Sequence, residues 1–126
     1  MKAASVLTAI CVLLLCACSN EEITRAKIAE AEATGRQAAQ AVGNYVKKHG
    51  RFPSYLEEAY VRPTALTDIK LMSVDRKTGL LRIALSFPPV EGKSLLFVPS
   101  RNKDKSVVWR CTSEDIDPKY LPEACQ

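Results

Sequence analysis

The chain has 126 residues, a formal net charge of +4, 47% hydrophobic and 25% charged residues. That length supports one domain and excludes a TIM barrel or a two-domain dehydrogenase, and an average charged fraction excludes wholesale disorder. A surplus of four positive charges does not by itself imply nucleic-acid binding. The five cysteines are an odd number, which in an exported protein requires an explanation.

Met1-Lys2 is a short cationic start, and Ala3 to Ala17 is apolar apart from Ser5 and Thr8. Fifteen residues suit the apolar region of an export signal but fall short of the roughly 20 needed to span a bilayer. Leu15-Cys16-Ala17-Cys18-Ser19 resembles a bacterial lipobox. The resemblance implies a signal at residues 1–17, cleavage before Cys18 and acylation of that cysteine, with residues 18–23 as a short tether. Ser19, which is not aspartate, implies by the same resemblance an outer-membrane destination. The alternative is an ordinary secretory signal cut after Ala17. Cleavage would leave 109 residues of the 126, lower the net charge to +3 with the loss of Lys2, and discard Cys11 and Cys16. Cys111 and Cys125 then remain as the expected disulfide, closing a 15-residue loop worth about 3 kcal/mol in the chain-entropy model. A redox or zinc pair fits the spacing poorly, and His49 is the one imidazole available.

Residues 21–49 lack proline and are rich in alanine, glutamate, lysine and arginine, which predicts a long helix. Asn20 is its expected cap, and Glu21–Arg25 and Glu32–Arg36 have i,i+4 spacing. Ile28, Ala31, Gly35, Ala38, Val42 and Tyr45/Val46 form one stripe, and Gly50 follows as a natural terminator. Ser54 and Glu57 fit a capping box for a short helix at 55–60, ended by Pro63. Alternating runs then predict four strands, at Ile69–Val74, Leu80–Phe87, Ser94–Val98 and Val107–Thr112. A hairpin with Gly79 in the left-handed region joins the first two. The tail from Ser113 to Gln126 is expected as a loop pinned by the disulfide.

This order of elements resembles the globular part of a type IV pilin. Locally, Thr24-Arg25-Ala26-Lys27-Ile28-Ala29-Glu30-Ala31 and Tyr45-Val46-Lys47-Lys48-His49-Gly50-Arg51-Phe52-Pro53-Ser54 are similar to the later half of the pilin spine and its exit. Trp109-Arg110-Cys111-Thr112-Ser113 and Lys119-Tyr120-Leu121-Pro122 are similar to its last strand and disulfide-bounded region. The resemblance covers roughly residues 24–125, within an expected pilin-like domain at 24–126. It implies an α+β, pilin-like fold: a long N-terminal helix packed on a four-stranded antiparallel sheet with a disulfide-closed C-terminal loop. A pilin also has a Gly-Phe peptidase site followed by a long apolar half-helix, and here a lipobox takes that place. The expectation is a pilin head on a lipid anchor, without the usual route to polymerisation.

No nucleophile elbow, Walker loop or GxGxxG is present, so no catalytic residue and no cofactor is expected. Glu114, Asp115 and Asp117 form a weak oxygen-ligand cluster whose spacing does not follow an EF-hand and which a solvated turn explains better, so no metal site is assigned. Arg101, Lys103, Lys105 and Arg110 form a candidate partner or nucleic-acid loop, with Asp104 in its middle arguing for an ordinary solvated hairpin. The leading function is an accessory or binding lipoprotein of the outer membrane, facing the periplasm or the surface. Its expected partners are pilin-like subunits or pilus, secretion or DNA-uptake machinery. The alternative is a pilin mimic that inhibits pilus assembly or excludes phage.

Overall fold

The alanine-rich segment forms α1 (Lys2–His49), an unbroken helix of 48 residues and about 72 Å at 1.5 Å per residue. The computed structural model describes the backbone of residues 2–62 and 67–126, and side chains within α1 from Asn20 onward. The candidate lipidation site Cys18, the cysteines at 11 and 16, and Pro63 lie outside the described side chains. The predicted stripe is the buried one: Ile28, Ala31, Gly35, Ala38, Val42, Tyr45 and Val46 all face inward. The helix does not start at Asn20. That residue lies inside α1, where its carbonyl accepts a bond from Thr24 Oγ1 at 3.0 Å. Glu32–Arg36 forms as expected, with Arg36 Nε donating at 2.7 Å. Arg25 instead donates from Nε to the carbonyl of Lys119 at 2.6 Å, because the folded tail brings that carbonyl within reach.

Gly50, at φ 75, donates its N–H to the carbonyl of Val46 and ends the helix. The short helix that follows is a single 3-10 turn, Leu56–Ala59. Its capping partner is shifted by one residue from the expectation: the Ser54 N–H donates to Glu58 at 3.0 Å, not to Glu57.

The sheet is an antiparallel meander of β1 (Ile69–Val74), β2 (Leu81–Leu85), β3 (Ser94–Arg101) and β4 (Val107–Thr112), in that spatial order. The β1–β2 hairpin turns at Gly79, φ 76, as predicted. β2 is shorter than expected, yet Phe87 beyond its end is still buried. β3 is longer, running three residues past Val98 through Pro99. A proline is normally excluded from an inner strand because it cannot donate to the ladder. Here β2 pairs with β3 only as far as Phe97, so at Pro99 that side of the strand is unpaired by β2.

Leu81, Ile83 and Leu85 of β2, Leu95 and Phe97 of β3, and Cys111 of β4 meet the α1 stripe in one core. At Gly35 the helix backbone lies directly against the Ile83 and Phe97 side chains, leaving no room for a Cβ. This is the α+β architecture expected, with the disulfide between Cys111 and Cys125 formed at a Cα–Cα distance of 4.5 Å.

Candidate functional site

Four surface regions carry the chemistry singled out by sequence, or exposed by the fold. The first is the end of α1. Glu58 Oε2 accepts from the Tyr45 hydroxyl and from the Ser54 N–H, both at 3.0 Å, and faces Arg51 Nη1 at 3.4 Å. The Ser54 N–H, with Tyr45 and Arg51, holds the Glu58 carboxyl below its usual range despite partial burial. Burial and the hydrogen bond to Glu58 push the Tyr45 phenol up. His49 stacks on Tyr45 with ring centroids 4.2 Å apart and is exposed. Just beyond, Tyr60 is 93% exposed and held at φ 61, with Tyr55 also exposed. Sequence reasoning missed Tyr60, since a tyrosine in the left-handed region has no local signature.

The second region is the β3–β4 hairpin. Arg101 crosses to the helix side, where Nη2 donates to the carbonyl of Gly50 at 2.7 Å and the guanidinium lies over the Phe52 ring. Arg110 alternates with Trp109 and Cys111 and so leaves the opposite face of the sheet. Lys103 and Lys105 are exposed at the tip. Between them, Asp104 accepts from the Ser106 hydroxyl and N–H, bonds that hold its carboxyl below the usual range. The four basic residues therefore do not converge on one patch: one is a clasp, one faces away and two flank an ionised carboxylate.

The third is the disulfide-closed tail, which winds through 3-10 turns at Pro118–Tyr120 and Glu123–Cys125. Its acids serve the backbone. Asp115 Oδ1 accepts from the Ser94 N–H at 3.1 Å, and Asp117 Oδ1 caps the Lys119 N–H at 3.1 Å. Glu114 is exposed. No cluster of three metal-ligating side chains occurs among the described residues. Leu121 and Cys125 are buried and Tyr120 packs partly against the core.

The fourth is an open groove of about 600 Å³ between α1 and β4. Arg36, Gln40, Gly43, Asn44 and Lys47 form one wall and Ser106 to Trp109 the other. Trp109 Nε1 is buried there without a hydrogen-bond partner.

None of these regions assembles a nucleophile, a base and an orienting group, the minimum for a catalytic constellation. Their common character is surface chemistry around a helix–sheet body. Among the described residues no helix is long and apolar enough to cross a membrane. Comparison with curated proteins gives no match. The family of pilins, the subunits of bacterial filaments, matches residues 24–126, from the first buried turn of α1 to the end of the tail. With four-fifths of its length accounted for in this way, the chain belongs to the pilin family, a structural rather than enzymatic one.

Proposed function

We propose that this pilin-family protein is a lipid-anchored accessory subunit of the cell envelope. In this reading Cys18 carries the acyl anchor at the outer membrane, and the body docks pilus-type subunits or the machinery of pili, secretion or DNA uptake. One observation carries it: the match to pilins begins at residue 24, six residues after the lipobox cysteine. Several acyl chains at about 0.8 kcal/mol per buried methylene provide a stable anchor. The exposed Tyr60 and Tyr55 supply aromatic contact area of the kind that dominates protein interfaces. Nucleic acid is disfavoured as a partner, because the basic residues of the β3–β4 hairpin are divided between two faces and a carboxylate.

A second reading rests on the same juxtaposition. A pilin body held by a lipid could occupy the docking sites of true subunits and act as an inhibitor of assembly or of pilus-using phage. Cys18→Ser should abolish palmitate labelling, and unchanged labelling would refute the anchor. The intact lipoprotein should co-purify with pilus or secretion components. Deletion that lowers piliation, twitching or DNA uptake supports the accessory role; overexpression that lowers piliation or phage adsorption supports the inhibitor. Normal behaviour in every assay, with no co-purifying component, would end both.

A further inference from the structure

The groove between α1 and β4 has three properties that define what can fill it. β4 is the last strand of the sheet, so its outer edge lacks a neighbouring strand. In any edge strand, alternate residues direct N–H and C=O groups away from the sheet, a template for another strand. The tail packs against β4 around Cys111, whereas Ser106 to Trp109 face the groove. Val107 to Trp109, the strand residues among them, cover about 10 Å.

The second property is the Trp109 indole. Its N–H is buried and has no acceptor among the described residues, a condition that folded proteins rarely tolerate without a water, a ligand or a partner group. Gly43 forms the helix wall opposite, where a Cβ would lie in ordinary contact with Nε1, at 3.5 Å. The third property is charge. Arg36 and Lys47 line the groove and no carboxylate does. Arg36 is bonded to Glu32 along the helix, and Lys47 lies in the field of Asp104, so the cations are partly compensated but the lining itself is positive.

We propose that this groove binds an extended acidic segment of a partner protein, added as a fifth strand along Val107 to Trp109. Main-chain pairing with the β4 edge gives the affinity, as in strand addition generally. A carbonyl or carboxylate of the segment accepts from the Trp109 indole, and its acidic side chains face Arg36 and Lys47. The outward Val108, 56% exposed, gains an apolar neighbour on the added strand. A second copy of this chain is a poorer occupant, because mutual pairing of the two edges would bring two cationic linings together. The proposal is independent of the lipid anchor.

The test is a titration of the full-length, nitrogen-15-labelled chain in detergent micelles, followed by its amide and indole resonances. The probe is a capped octapeptide of alternating valine and glutamate. Its controls are the lysine counterpart and two versions N-methylated, one on every valine and one on every glutamate. The expected result is movement of the Trp109 indole signal and of the amides of 106–109, with the glutamate probe binding more tightly than the lysine one. One N-methylated probe should lose binding and the other keep it, since only alternate residues pair with β4. Trp109→Phe, which keeps the ring, should weaken the glutamate probe by about fivefold, the loss of one net hydrogen bond. Gly43→Glu should reverse the order of the glutamate and lysine probes, a change that altered packing alone does not produce. An indole signal that stays fixed at millimolar probe, shifts elsewhere on the molecule, or equal binding of the two charged probes would overturn the proposal.

Discussion

Gly35 shows how closely single atoms decide this packing. The Ile83 and Phe97 side chains fill the space that any Cβ would need. Gly35→Val should therefore cost about 1–3 kcal/mol through overpacking, read as a lower denaturant midpoint at unchanged slope. A wild-type midpoint would mean that the helix can lift off the sheet freely. Glu58 makes a prediction about pH. Its carboxyl is held below the ordinary value chiefly by the Ser54 N–H, then by Tyr45 and Arg51. Between its lowered native value and its ordinary one, the unfolded chain takes up a proton that the native state refuses, so stability rises with pH across that window. It is present above the ordinary carboxylate range and is lost as pH falls through the lowered value. Glu58→Gln should flatten this acid limb in thermal midpoints taken from about pH 3 to 7, and an unchanged limb would contradict the assignment.

At the scale of elements, the disulfide between Cys111 and Cys125 fastens the tail to the inner face of β4. Replacing both cysteines by serine should lower stability by about 2–4 kcal/mol, measured by denaturant unfolding of the oxidised wild type beside the double variant. Features with a local signal could be read in the sequence: the α1 stripe, the glycine turn at 79, and the alternation of Val107, Trp109 and Cys111. Features set by distant chain could not. The extension of β3 through Pro99 depends on where β2 stops pairing, at Phe97. The Glu58 cap depends on the tightness of a 3-10 turn, and the Arg101 clasp joins residues 51 positions apart. The expected Asn20 cap required knowing where the helix begins, which residues 21–49 alone do not specify. The groove was not legible: Trp109 stood out only as part of the last strand and Gly43 not at all, and the two acquire a joint meaning when α1 lies beside β4. The candidate basic residues are spread out because Arg101 and Arg110 lie on opposite faces of the β3–β4 pair, while Lys103 and Lys105 flank Asp104 at its tip.

For the whole molecule, the burial pattern separates a body from a stalk. Buried side chains among the described residues of α1 begin at Thr24, with Ile23 52% exposed. A chain beginning at residue 24 should fold with a thermal midpoint within about 4 °C of the full-length protein, the smaller shift that roughly 1 kcal/mol produces at this size. A collapse of the midpoint would assign residues before 24 a part in the core. The tail closes the body from the other end. Arg25 in the first buried turn holds the carbonyl of Lys119, 94 positions later, and Cys111 is bonded to Cys125 beyond it. A chain delivered amino terminus first, whether from a ribosome or through a translocation channel, thus has its helical side waiting for the disulfide-closed tail. Until Cys125 emerges, one side of the core is open and the Cys111 thiol lacks its mate. Any processing of the amino terminus during delivery therefore acts on a chain that has not finished folding.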